Sequence, residues 1–218
     1  MARRPTPIAR TKRLVLRPLG PGDYAVWRAA NLERPEPKNE WERPKKPATE
    51  FTRAKFRALV RDLDRRIAKD QFYDLAIFRR ADGALLGGVA IMDVWRGLNE
   101  SAYLGYSLFN SHWGRGYAKE AVRAAFGIAF RKLKLHRIEA GIEPRNRRSI
   151  RLARSLGMRK EGCKRRVLFL RGKWRDMMIY SVTCEDLGWK FLGRKPIHPS
   201  YVTARATKRR RPAGRARR

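Results

Sequence analysis

Residues 114–118 read Gly-Arg-Gly-Tyr-Ala and lie between a strand pattern and the strongest helical pattern of the chain. Amide groups at a helix start point outward unpaired and carry partial positive charge. Gly114 and Gly116 have no side chain, so a pyrophosphate can approach that backbone closely, and Arg115 adds a full charge. The same two glycines also suit a tight turn that needs their dihedral freedom, so spacing alone leaves both readings open. The third glycine of a dinucleotide fingerprint is missing, and no Gly-Lys-Ser/Thr follows as in a P-loop. Other chemistries find less support. His112, His136 and His198 are scattered, and with Cys163 and Cys184 they make no zinc spacing, so no metal is expected. There is no Gly-x-Ser-x-Gly nucleophile turn and no motif around either cysteine.

A phosphate cradle works only if strands and helices hold it open. Residues 13–19 alternate polar and apolar as a strand does. Gly20-Pro21-Gly22-Asp23 turns into a helix carrying Tyr24, Trp27, Ala30 and Asn31. Residues 34–50 hold four prolines and read as a loop. Thr49 is the expected N-cap of a helix over 50–69, with Phe56, Leu59, Val60, Leu63 and Ile67 on one face. Three strands follow at 72–79, 85–95 and 100–109, and their short connections predict antiparallel neighbours. The helix opened at Gly116 carries Ala118, Ala121, Val122, Ala125, Phe126, Ala129 and Leu133 as an apolar stripe. Then come a strand at 137–142, a short helix at 146–156 closed by Gly157, and a hairpin of 163–170 and 174–183 turning at Arg171-Gly172-Lys173.

The chain has 218 residues, 53 of them Lys or Arg and 20 Asp or Glu, for a net charge of +33; 43% are hydrophobic. That apolar share excludes a disordered polyelectrolyte, and a domain of this size buries about 70% of its unfolded surface without needing a staple. Two cysteines exclude a disulfide framework and fit a reducing compartment. No apolar run approaches the ~18 residues of a membrane span, and residues 1–12 lack the apolar segment of a secretory signal. A cytoplasmic location is expected. The absence of any acid before Asp23 leaves an organellar matrix open as an alternative. Residues 1–12 read as a basic arm, 13–187 as one catalytic domain and 188–218 as a basic tail. Eleven basic and two acidic residues over 185–218 supply nine of the thirty-three charges, so the rest of the chain is basic in its own right. Such a surface attracts nucleic acid and anionic cofactors and repels cations.

The order of these parts resembles the GCN5-related N-acetyltransferases (GNAT). The stretch Gly114-Arg115-Gly116-Tyr117-Ala118-Lys119-Glu120-Ala121 is similar to that superfamily's coenzyme A loop. The likeness tightens toward the RimJ/RimL ribosomal-protein-alanine acetyltransferases. Residues 11–17 (TKRLVLR) look like that group's first strand, and Arg96-Gly97 with Tyr103-Leu104-Gly105-Tyr106-Ser107 looks like the RimJ branch. His136-Arg137-Ile138, Asn146 with Ser149, Leu156-Gly157-Met158, Lys160-Glu161-Gly162 and Gly172-Lys173-Trp174-Arg175-Asp176 follow in the same order. The resemblance spans residues 11–187. It implies an α+β fold with a mixed, mostly antiparallel seven-stranded sheet and helices on both faces. It also implies acetyl-CoA as cosubstrate and a protein N-terminal amine as acceptor.

The resemblance further implies that strands 100–109 and 137–143 splay apart. The backbone of Leu104, Gly105, Tyr106, Ser107 and Leu108 would then hold pantetheine, and amides near residue 106 would stabilise the reacting carbonyl oxygen. Gly114, Arg115, Gly116, Tyr117, Ala118 and Lys119 would hold the pyrophosphate, and Asn146 would help place the cofactor. By the same resemblance Glu161 is the general base and Ser149 protonates the leaving thiolate. From charge alone, Arg145, Arg147 and Arg148 are candidates for the cofactor's outer phosphate. Two departures stand out: Trp113 occupies a position where the superfamily often has Gln or Arg, and Ala153 occupies that of a common Tyr acid. Three functions compete. The first is acetylation of a protein N-terminus, in particular of a ribosomal protein, framed by loop 34–50 with Trp41 and the hairpin at Trp174. The second is a non-catalytic ribosomal-RNA-associated protein on this fold, and the third is acetylation of a small amine. Excess positive charge disfavours cationic small amines unless acids line the pocket.

Overall fold

The computed structural model describes residues 9–193. Its strands are β1 (Ala9–Arg10), β2 (Leu14–Arg17), β3 (Phe72–Arg79), β4 (Leu85–Trp95), β5 (Ser101–Leu108), β6 (Arg137–Ile142), β7 (Arg159–Leu170) and β8 (Lys173–Thr183). Its helices are α1 (Tyr24–Leu32), α2 (Arg53–Ala68), α3 (Tyr117–Gly127) and α4 (Arg147–Ser155). The strands form one open sheet in the order β1-β2-β3-β4-β5-β6-β8-β7. Every neighbouring pair is antiparallel except β5 with β6.

Alternation along the strands sends side chains to two different layers. Leu14, Leu16, Leu75, Ile77, Val89 and Ile91 join Ala121, Val122 and Phe126 of α3 in the main core. Val15, Ala76, Phe78 and Leu85 point the other way, onto Val26, Trp27 and Ala30 of α1. Trp27 stacks within 5.0 Å of Phe56, which ties α2 to that second face. The mixed sheet with helices on both faces is therefore as expected.

Several details differ. The sheet has eight strands, not seven, because part of the presumed basic arm pairs with it: Ala9 registers against Leu16 and Arg10 against Val15. A two-residue strand is too short to show periodicity. Thr52, not Thr49, caps α2, accepting a hydrogen bond from the Lys55 amide at 3.2 Å. Phe51 sits 5.3 Å from Trp27 in the aromatic cluster, and its backbone leaves helical geometry to reach it. After α3 the chain continues as a π-helical turn over Ile128–Lys132, which buries Ile128, Ala129 and Phe130 in succession. A 3.6-residue stripe cannot do that. The hairpin turn is Arg171-Gly172, both with positive φ, as a two-residue turn requires. β7 starts at Arg159, four residues earlier than expected, so Glu161 lies inside a strand. The domain also runs past residue 187: Trp189 packs against Phe130 and beneath Arg131, and Phe191 against His136. Most of the expected tail lies outside the described residues.

Candidate active site

β5 and β6 start side by side and then part. Ser101, Ala102 and Tyr103 register against Arg137, Ile138 and Glu139; no further pair forms, although β5 runs to Leu108 and β6 to Ile142. Each strand stays zipped to its other neighbour over this length. The edge of β5 from Leu104 to Leu108 is thus left without a ladder partner toward β6, and buried backbone groups of this kind demand one. A cleft of about 810 Å³ opens there. Gly105, Tyr106, Ser107 and Leu108 line it from β5, whereas the Leu104 side chain turns into the core. Trp113 helps hold the strand end: its Nε1 donates to the Leu108 carbonyl at 3.0 Å, and the Arg148 guanidinium stacks 4.2 Å above its ring.

The glycine turn forms the next wall. Gly114 and Gly116 have φ of +77° and +76°, the left-handed region that side chains resist. A methyl on Gly114 would meet nothing within 4 Å, so the backbone there is open to a ligand. Gly116 is the N-cap of α3, and Gly114, Gly116, Tyr117, Ala118 and Lys119 all line the cleft. Arg115 is exposed and outside that lining. Its carbonyl accepts a hydrogen bond from Arg13 Nη1 at 2.9 Å. Arg13 also donates through Nε to Glu120 Oε2 at 2.7 Å, and Thr11 Oγ1 donates to Glu120 Oε1 at 2.6 Å. Burial raises the Glu120 pKa, but these hydrogen bonds prevail and hold it below the usual carboxylate range. The turn between β1 and β2 is thereby clamped to the start of α3.

The opposite wall is α4. Asn146 caps it, Oδ1 accepting from the Ser149 amide at 3.2 Å, and Asn146, Arg148 and Ser149 line the cleft. Ser149 Oγ lies 2.5 Å from the Tyr106 hydroxyl across the opening. Burial outweighs the Ser149 hydrogen bond and pushes the Tyr106 phenol above its ordinary pKa, so it stays protonated. A coupled pair of hydroxyls in a narrow, half-buried site can deliver a proton to a leaving group.

A model of the acetyltransferase (GNAT) domain family matches residues 13–159. The chain belongs to that family. It is an N-acetyltransferase of the GNAT fold. A probable N-acetyltransferase of Bacillus subtilis, YjcK, is 38% identical over 130 residues, which is 60% of this chain and 72% of that protein. The Escherichia coli [ribosomal protein uS5]-alanine N-acetyltransferase is 35% identical over 115 residues, or 53% of this chain and 59% of that protein. Among solved structures, Mycobacterium smegmatis RimJ in complex with CoA-disulfide superposes with a TM-score of 0.67 at 27% identity. That match covers 80% of this chain and 83% of that one.

The acetyltransferase's own residues fit coenzyme A: a free strand edge on β5 for an extended amide-bearing arm, and an open amide cradle at Gly114 for a pyrophosphate. Bound there, the group would supply an activated thioester. Arg148 reaches the cleft, whereas Arg145 and Arg147 are exposed outside it.

Glu161, expected as the base, is not brought to this cleft. It lies on β7 beside the zipped part of the sheet, where Lys160 registers with Tyr180 and Arg159 with Ser181. Arg137 Nη1 donates to Glu161 Oε1 at 2.9 Å, Nη2 pairs with Oε2, and Ser181 Oγ donates to Oε1 at 2.7 Å. The Arg137 and Ser181 hydrogen bonds hold its carboxyl below the usual range, which weakens it as a proton acceptor. Loop 34–50 does frame the cleft through Trp41, but Trp174 is exposed on the hairpin and lines none of it.

Two other features escaped the sequence. The Tyr106 phenol meets Ser149 at the cleft, whereas Ala153, buried at 2%, brings no hydroxyl. Sequence shows a tyrosine in a strand; only the opposed helix makes it a partner of Ser149. Outside the cleft, His136, Cys184 and Glu185 bring donor atoms within 4.8 Å of one another. Burial, with the Glu185 hydrogen bond, pushes the Cys184 thiol up to about 11, which opposes the thiolate a metal prefers.

Proposed function

We propose that this acetyltransferase uses acetyl-CoA to acetylate the α-amine of a protein N-terminus, with ribosomal proteins as the target class. The observation that carries the reading is the parting of β5 and β6 beyond Tyr103, between a glycine-lined helix start and the Tyr106–Ser149 hydroxyl pair. An α-amine has a pKa of roughly 8, so about a tenth is neutral at pH 7, while a lysine near 10.4 needs a far stronger base. The E. coli relative is named for alanine acetylation of uS5, which supports a protein acceptor. In this reading the Ser149 hydroxyl, backed by Tyr106, hands a proton to the departing sulfur. The glycine turn and the β5 edge hold and orient the cosubstrate.

A net charge of +33 favours a second role, docking on ribosomal RNA, by which the enzyme would find its substrate; such contact releases counterions and weakens steeply with salt. The two roles are compatible. Incubation with acetyl-CoA and a panel of peptides beginning with Ala or Ser, alongside lysine-blocked peptides and polyamines, tests the acceptor class by mass spectrometry. Acetylation confined to peptide α-amines is the expected result. Modification of polyamines or lysine side chains alone refutes the assignment.

A further inference from the structure

With Glu161 engaged elsewhere, the cleft still contains a carboxylate that the reaction has not used. Asp74 lies on β3, and register carries its row across the sheet: Asp74 opposite Ala90, and Ala90 opposite Gly105. Residues in one row share a face. The next row on that face is Ala76, Gly88 and Ser107, so small residues floor the trough from Asp74 to the open edge of β5. That distance is about 10 Å, two strand spacings. All six residues line the cleft.

This face is opposite to the one that holds the hydroxyl pair. Tyr106 follows Gly105 in β5, shares its row with Val89 and Leu75, and joins the main core with them. The sheet opening therefore has a proton donor on one side and Asp74 on the other. Acyl transfer adds the amine to the carbonyl carbon and then expels the thiolate from the tetrahedral intermediate, so a base that prepares the amine and an acid that protonates the sulfur can be two separate groups. The trough is roofed by loop 34–50, where the buried Trp41 Nε1 finds no hydrogen-bond partner among the described residues. Among the described residues the Asp74 side chain makes no hydrogen bond, and Arg43 of the loop and Arg66 of α2 act on it only at longer range. Burial outweighs both cations and raises its pKa. Glu42 is a second acid along the same lining.

We propose that Asp74 receives the acceptor's ammonium group on the α1-side face of the cleft and takes its proton, which makes it a catalytic residue of the reaction proposed above. Asp74 accepts one of the three ammonium protons, leaving a neutral amine with its lone pair free. As the new C–N bond forms and the C–S bond breaks, the sulfur takes a proton from the Tyr106–Ser149 pair, the nitrogen sheds its surplus proton to water, and water restores the proton of the pair. The proton on Asp74 passes to solvent when the product leaves. The inference rests on the reading of the protein as an amine acetyltransferase.

The test is Asp74→Asn in the full chain, with Asp74→Glu as the conservative partner. Acetyl transfer to an Ala-initiated peptide is followed across pH 5.5–9, with calorimetry of CoA binding and of peptide binding to the CoA-loaded protein. The Asn variant should lose about 30-fold or more in kcat/KM for the peptide, lose the acidic limb of the pH profile, and bind CoA within about twofold of wild type. Its melting temperature should not fall, since a half-buried carboxylate with no hydrogen bond among the described residues does not stabilise the fold. The Glu variant should recover part of the rate. An active wild type with an Asn variant equal to it in rate and pH profile overturns the Asp74 role alone. So does a matched loss of CoA binding and thermal stability. A wild type that neither binds nor acetylates any amine overturns both this role and the proposed function.

Discussion

The seam between β5 and β6 has two ends that treat charge in opposite ways. At the closed end the acids are consumed by structure. Arg96 forks onto Asp70 at 2.7 and 2.9 Å, reaches Glu100 at 2.9 Å and caps the Leu133 carbonyl at 2.7 Å. Arg137 bridges Glu139 and Glu161. At the open end hydrogen bonds are few and side chains small. Tyr106 and Ser149 hold each other, and Asp74 faces the cleft with no side-chain hydrogen bond among the described residues. The contrast teaches that residue type does not identify the working carboxylate. An acid held by two or three donors is a strut; one desolvated beside a cavity retains its appetite for a proton.

The strongest way to break the comparison is to disable the open end. Ser149→Ala should lower turnover about 10²-fold and Tyr106→Phe by a comparable factor, with little change in stability. If the hydroxyls act as a unit, the double variant should be no slower than the worse single one in steady-state assays. Additive losses would separate their roles. Next in size is the closed end. Arg96→Met takes the cation away from Asp70 and Glu100, whose side chains are only 10% and 15% exposed, and leaves them neutral donors such as the Tyr73 hydroxyl and the Gly97 amide. It should cost about 2 kcal/mol in denaturant unfolding, with kcat and KM unchanged. A smaller effect is expected at the cradle. Gly116→Ala forces a methyl-bearing residue to φ +76°, at about 1 kcal/mol, and should raise the KM for acetyl-CoA several-fold.

The smallest effect sharpens the comparison most. Glu161→Gln should leave turnover within about twofold of wild type. Glu161 has its carboxyl held down in the folded state, so its pairing contributes stability above the unfolded carboxyl pKa and loses it as pH falls through the folded value. The Gln variant should therefore show a shallower loss of stability below about pH 4.5 and, with the side chain 43% exposed, less than about 1 kcal/mol at neutral pH. A large loss of turnover would restore Glu161 to the chemistry and erase the distinction between the two ends.

Local signals placed most elements. Alternation located the long strands, the prolines of 34–50 marked the loop, and Gly114 and Gly116 marked the helix start within a residue or two. The misses share one cause. β1 exists only because β2 offers an edge, Phe51 leaves helical geometry to join Trp27, and the π turn buries three successive residues against neighbours distant in sequence. None of these leaves a period in the chain.

The same division runs through the site. Sequence by itself determined the glycine turn, a short helix beginning at Asn146 with Ser149 three residues on, and the surplus of cations, because each depends on residue types and their neighbours along the chain. The parting of β5 and β6 after three pairs was implied by the family resemblance and by no local pattern, and tertiary structure alone decided that Tyr106 meets Ser149, that Arg137 and Ser181 occupy Glu161, and that Asp74 looks across Ala90 and Gly105 to the opening. A carboxylate's chemistry depends on solvent and donors within a few ångströms, and those neighbours are assembled by folding from residues tens of positions apart.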